Sequence, residues 1–96
     1  VKVLLLSDAE QDLRDGFSFY DRQTRGLGDY FIRSLLADLR NLGHLAGIHA
    51  QHRGYHRMLA SRFHCAIYYK IGGDTAYVWA ILDTRQDPSK TEQRLA

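Results

Sequence analysis

Between residues 41 and 73 the chain carries Arg53, Arg57, Arg62 and Lys70, all five of its histidines (His44, His49, His52, His56 and His64) and no acidic residue. A metal centre is the first chemistry such a set brings to mind. Metal ligands need close, regular spacing, often with a cysteine or carboxylate among them. His52 and His56 stand four apart, which serves on a helix, but Gly54 lies between them and the residues that follow alternate like a strand. No cysteine pairs with them and no local carboxylate completes a set, so neither metal nor cofactor is expected. A serine nucleophile lacks its glycine-flanked elbow. Gly26-Leu27-Gly28 has no preceding strand and no third glycine, so it is no phosphate cradle.

Metal-free acid–base chemistry remains. Cleaving RNA needs a base for the 2′-hydroxyl, a cation for the developing phosphorane charge and an acid for the leaving oxygen. His56, Arg57, Arg62, His64 and Arg85 are of the right types. His56 and Arg57, as neighbours on a strand, point to opposite faces and do not line one site on a flat sheet. Arg85, just past the last strand, can approach whichever face is open. The alternative is a binding surface. Residues 1–40 hold six basic and seven acidic side chains and residues 74–96 three and four, so the 41–73 block is cationic on a chain whose net charge is only +2. Four charges are few for a dedicated nucleic-acid binder and suit an acidic protein segment as well.

The elements that must position these residues follow from periodicity. Tyr55–Ala60 alternates as a strand and Ser61-Arg62 turns. Phe63, Cys65, Ile67, Tyr69 and Ile71 fall on one face of the next strand, with His64, Ala66, Tyr68 and Lys70 on the other. Gly72-Gly73-Asp74 is a hairpin turn. Thr75–Leu82, rich in β-branched and aromatic residues, is the third strand, ended by Asp87-Pro88. Upstream, Val1–Leu6 reads as a short strand with little alternation, either covered on both faces or lying beside this antiparallel meander. Ser7-x-x-Glu10 reads as a capping box opening a helix to about Gln23, with Ala9, Leu13, Gly16, Phe17 and Tyr20 on its buried side. A second helix is expected from Asp29 to Leu42, with Phe31, Leu35, Leu39 and Leu42 as its stripe, Ile32 and Leu36 widening it, and Gly43 as its stop. Gly43–Arg53 reads as a loop and Lys90–Ala96 as a frayed polar tail.

The order is strand, helix, helix and three strands (β-α-α-β-β-β): one α+β domain over residues 1–96, a helical hairpin laid on an antiparallel sheet. A hydrophobic fraction of 45% and a charged fraction of 25% are those of an ordinary globular chain. No apolar run approaches the ~20 residues of a membrane span, so no membrane contact is expected. The single Cys65 has no internal disulfide partner and lies on the apolar face of its strand, which fits a buried thiol and a cytoplasmic location.

Tyr55-His56-Arg57-Met58-Leu59, Arg62-Phe63, Ile67-Tyr68-Tyr69-Lys70-Ile71, Gly73-Asp74 and the closing Ala80-Ile81-Leu82-Asp83-Thr84-Arg85-Gln86-Asp87-Pro88 together resemble the RelE/ParE superfamily of toxins. Ala9-Glu10-Gln11-Asp12-Leu13, Tyr20 and Gly26-Leu27-Gly28 sit where that family's helical hairpin has similar residues. The resemblance spans nearly the whole chain and implies the same helical hairpin on an antiparallel sheet. It also implies a growth-inhibiting, plasmid-stabilising toxin of a type II toxin–antitoxin module, neutralised by a cognate antitoxin. RelE-like members cut messenger RNA on the ribosome with basic strand residues and an arginine after the last strand. Here Arg85 matches that arginine and His56 falls near a basic strand position, with Arg57 beside it. Ala66 and Met58 stand where further basic residues belong, and Thr91 where a C-terminal tyrosine does. ParE-like members instead poison DNA gyrase by binding it and need no catalytic residues. The depleted ribonuclease set leans toward that branch, with antitoxin or target contacts expected at Arg53, Arg57, Arg62, Tyr68, Lys70 and Arg85, and Tyr30 and Tyr68 as exposed anchors.

Overall fold

The computed structural model describes Val1–Ala96. In chain order the elements are β1 (Lys2–Leu5), α1 (Ser7–Gln23), α2 (Leu27–Leu45), β2 (Gln51–His52), β3 (Tyr55–Leu59), β4 (Cys65–Gly72), β5 (Thr75–Asp83) and α3 (Pro88–Leu95). The strands form one sheet in the order β1-β5-β4-β3-β2. β2 to β5 run antiparallel to one another, and β1 joins β5 in parallel, with Val3 opposite Ala76 and Leu5 opposite Val78. The expected α+β order is therefore present, with two elements added.

The helical hairpin covers one face of the sheet. Leu13 and Tyr20 of α1 and Phe31, Leu35, Leu39 and Leu42 of α2 are buried there with Cys65, Ile67 and Tyr69 of β4. The two helices approach closely where they have no side chains. A Cβ on Gly28 would lie 2.7 Å from the Phe17 carbonyl oxygen, and one on Gly16 would lie 2.4 Å from the Phe31 ring. Glycine at both positions is a packing requirement.

Five local expectations are corrected. Ser7 does not cap α1, and the Ser7–Glu10 box does not form: Leu6 precedes the helix, with no side-chain cap. The reason is the strand. Leu6 donates its N–H to Val78 (3.0 Å) while its carbonyl accepts from Glu10 (3.0 Å), so the sheet ladder sets the boundary. α2 begins two residues earlier than expected and passes through Gly43 to Leu45. The Gly43 carbonyl accepts from the Val1 amine at 2.8 Å, and a Cβ there would lie 3.2 Å from the Val1 oxygen, so that glycine serves β1 rather than the helix end. The turn out of α2 comes at Gly47, φ +97°.

The expected loop Gly43–Arg53 contains β2, in which Gln51 and His52 pair with His56 and Tyr55. Arg53 (φ +58°) and Gly54 (φ +83°) make that tight turn in left-handed backbone. β4 starts at Cys65 rather than Phe63, because the chain bends through Ser61–His64. Phe63 still reaches the helix-side core, 4.8 Å from the Tyr20 ring and 5.1 Å from the Phe31 ring. Finally, the expected frayed tail is α3. Asp87 accepts the Ser89 N–H (3.0 Å), and Pro88 begins the helix where its missing N–H costs nothing. Leu95 is buried against Ala66, Tyr68, Ala80 and Leu82 on the sheet face opposite the hairpin.

α3 is held from both sides. Arg94 makes a two-pronged bond to Asp12 of α1 (2.8 and 2.9 Å). Glu92 pairs with Arg53 and lies 3.6 Å from His52, at the other edge of the sheet. The helix thus straps part of the far face and leaves the rest uncovered.

Candidate functional site

Strand alternation sends His56 and Arg57 to different faces, as expected. His56 lies on the hairpin side, its ring stacked on Tyr69 at 5.0 Å and its Nδ1 2.8 Å from the His49 carbonyl oxygen, to which it donates. Arg57 lies on the far side, donating from Nε to the Tyr68 hydroxyl (3.1 Å). There it lines a cleft of about 290 Å³ with His52, Thr91 and Glu92. Arg85 stands beyond the end of β5, bidentate on Asp83 (3.2 and 2.9 Å), with its own N–H also on that carboxylate (2.7 Å). These hydrogen bonds hold the Asp83 carboxyl below the usual carboxylate range.

The three candidate catalytic residues do not converge. His56 is opposite Tyr69 and Asp83 is opposite Cys65. Four residues along β4 correspond to about 13 Å at the strand rise, so Arg85 begins that far from His56 along the sheet. Arg57 is separated from His56 by the sheet itself.

The candidate binding residues are equally dispersed. Arg53 is engaged with Glu92. Arg62, in the β3–β4 bend, donates to the Tyr30 hydroxyl at 3.3 Å, and Tyr30 is 38% exposed. Tyr68, expected as an exposed anchor, is only 4% exposed, because α3 closes over it; its hydroxyl serves Arg57. Lys70 projects from β4 over two aromatic rings, 4.5 Å from the Tyr55 centroid and 5.6 Å from the Trp79 centroid.

The histidines are likewise committed to separate tasks. His49 faces the buried Tyr69 hydroxyl through Nδ1, and that hydroxyl also accepts the Gly47 N–H (3.0 Å). Burial, with a smaller contribution from His56, pushes the His49 pKa down, which favours the neutral ring. No group of three metal-ligating side chains lies close enough to hold an ion. Burial pushes the Cys65 thiol up to about 11, the behaviour of a core residue.

Two features were not anticipated from the sequence. One is a groove of about 540 Å³ along β1, lined by Val1, Val3, Leu5, Leu36, Leu39 and Arg40. Its signal is the width of the α2 stripe: Leu36, expected to widen the buried face, is 42% exposed and flanks the groove. The other is a β-bulge in β5. Tyr68 is opposite Ala80 and Tyr69 opposite Val78, so Trp79 is the extra residue. Nothing in an alternating run of apolar residues marks such an insertion.

No protein-family model matches the chain, and no curated protein does. Among solved structures, a chain of the "Chromosomal ParDE TA system from P. aeruginosa" superposes with a TM-score of 0.73 at 10% sequence identity. The match covers 84% of this chain and 92% of that one. The chain therefore shares the α+β fold of that chain, the helical hairpin on an antiparallel sheet expected from its sequence. No helix is long and apolar enough to cross a membrane.

Proposed function

We propose that this chain is the toxin of a type II toxin–antitoxin module and acts in the ParE-like manner, by binding DNA gyrase rather than by catalysis. The observation that carries the choice is the separation of His56, Arg57 and Arg85. General acid–base cleavage needs its base, acid and cation within hydrogen-bond reach of one phosphodiester. Here one residue lies under the hairpin, one on the far face and one past the end of the sheet. The RelE-like alternative, a ribosome-dependent endoribonuclease acting on messenger RNA, has its best support in the Arg57 cleft. Within it, however, Glu92 is already occupied by Arg53 and His52.

The antitoxin reading draws on the groove. An apolar trough beside the exposed edge strand β1, with Arg40 and His44 on its rim, suits an amphipathic antitoxin segment with acidic flanks that folds as it docks. The likeness to a ParDE system supports the same pairing.

The test is plasmid supercoiling by purified gyrase in the presence of the toxin, with and without the antitoxin encoded beside it. Antitoxin-reversible inhibition with accumulation of linear DNA is expected. Unaffected supercoiling together with messenger cleavage on translating ribosomes, lost in Arg57→Ala or Arg85→Ala, would replace this reading with the ribonuclease.

A further inference from the structure

The uncovered part of the far sheet face carries an unusual cluster. Trp79, at 41% exposure, is the inserted residue of the β5 bulge, and Lys70 of β4 stands beside it on the same side. A bulge re-aims side chains and breaks alternation: Trp79 and Ala80 both face away from the hairpin, whereas a regular strand would have turned Ala80 inward. The Trp79 ring meets Tyr55 edge-on at 5.7 Å. Tyr55 is itself buried, and Lys70 caps it with its ammonium 4.5 Å from the ring centroid. No carboxylate lies within ion-pair distance of Lys70.

We propose that Trp79 and Lys70 form the docking surface for the toxin's protein target, gripping an acidic segment whose carboxylate meets Lys70 and whose aliphatic side chain lies on the Trp79 ring. Three features point to that occupant. An exposed tryptophan beside a buried aromatic is the composition of an interface centre, since it offers large rigid area at little entropic cost. The two rings hold the ammonium in place before binding, so little is lost in ordering it. The charge is uncompensated: Lys70 makes no ion pair, and Glu92, the single acid of α3, is engaged by Arg53 and His52. A nucleic acid fits less well. Base stacking needs several open ring faces and a track of cations, whereas here the Tyr55 face is capped and Trp79 alone is open.

This inference rests on the toxin reading and divides its labour. The antitoxin takes the β1 groove and the target takes the far face. Trp79→Ala and Lys70→Glu test it, both at exposed positions, with circular dichroism and urea denaturation to check folding. Gyrase supercoiling is assayed beside calorimetric binding of the antitoxin. The expected result is a loss of about 30-fold or more in gyrase inhibition for Trp79→Ala, the size of an interface hot spot. Lys70→Glu should lose comparably and Lys70→Arg should retain most of the effect, with antitoxin affinity changed less than about threefold in all, since neither residue lines the β1 groove.

Equal inhibition by the wild type and both variants overturns the assignment. Parallel loss of antitoxin affinity would give the surface to the antitoxin instead. Tight, Trp79-dependent binding of a labelled single-stranded oligonucleotide would make it a nucleic-acid platform and also overturns it. A wild-type protein that leaves gyrase untouched sinks the parent reading first, before any variant is compared.

Discussion

Asp12 should be worth more to this fold than any other carboxylate. Its side chain is 11% exposed and accepts three hydrogen bonds: two from Arg94 and, at 2.9 Å, the Ile81 N–H of β5. One side chain therefore ties α1, β5 and α3 together. Asp12→Ala leaves the Ile81 amide without a partner, which costs about 1–2 kcal/mol for a buried donor. It also removes a charge-assisted fork that would be worth up to about 3 kcal/mol if dry. Arg94 is 33% exposed. Solvent screening brings that second contribution to about 1.5 kcal/mol. The expected loss is about 3 kcal/mol, roughly 12–24 °C in Tm for a domain of this size.

Arg94→Ala should cost less, about 1.5 kcal/mol, because Asp12 keeps its bond to Ile81. The assay is urea denaturation of the wild type, both single variants and the double variant, followed by fluorescence of Trp79. Neighbours sharing a bond should show a coupling of about 1–1.5 kcal/mol in the cycle. A coupling within about 0.3 kcal/mol of zero would show that the fork is an ordinary solvated surface pair, and the strap description of α3 would fail with it.

Two further outcomes follow from close packing and from titration. Gly28→Ala places a Cβ within 3 Å of both the Phe17 backbone and the Asp21 Cβ. The hairpin must separate, at a cost of about 2 kcal/mol or more in urea denaturation; a loss under about 0.5 kcal/mol would mean the helices are not in contact there. His49 faces Tyr69 from β4 and His56 from β3, and its pKa is lowered from 6.5. A lowered histidine pKa means that the unfolded chain protonates first, so its contribution is whole above pH 6.5 and is lost as pH falls from there toward the folded value. Stability measured between pH 7 and 5 should decline in the wild type. The decline should be shallower in His49→Gln, which keeps an acceptor for the Tyr69 hydroxyl; equal slopes would refute the assignment.

The sheet and hairpin were legible because their cues are local and periodic. Phe31, Leu35, Leu39 and Leu42 at helical spacing, and Cys65, Ile67 and Tyr69 at strand spacing, leave little choice of element or face. What escaped was set by contacts distant in sequence. Ser7 has every property of a cap, yet Leu6 is held by Val78, across most of the chain. Lys90–Ala96 is polar enough to fray in isolation and is ordered by Asp12, Arg53 and the apolar socket for Leu95. The site was harder still. The opposition of His56 and Arg57 could be read from alternation alone, but the burial of Tyr68 and the exposure of Trp79 depend on α3 and the bulge.

The acid-free block also shows why charge counted along a chain misjudges a surface. Its four cations are consecutive basic residues of a 33-residue stretch, but β2 to β4 carry them to different places. Arg53 sits in an edge turn and is neutralised by Glu92. Arg57 lies inside a cleft, Arg62 sits in the β3–β4 bend beside Tyr30, and Lys70 stands over Trp79 at the far end of β4. They do not sum to one potential, so long-range steering of an acidic partner is weak. Affinity must then come from short-range contact, where shape and desolvation decide. This molecule offers two places for such contact, the apolar groove beside β1 and the Trp79–Lys70 surface. They lie on opposite faces of one sheet, which is the geometry a protein needs if it is to engage two partners without their competing for the same residues.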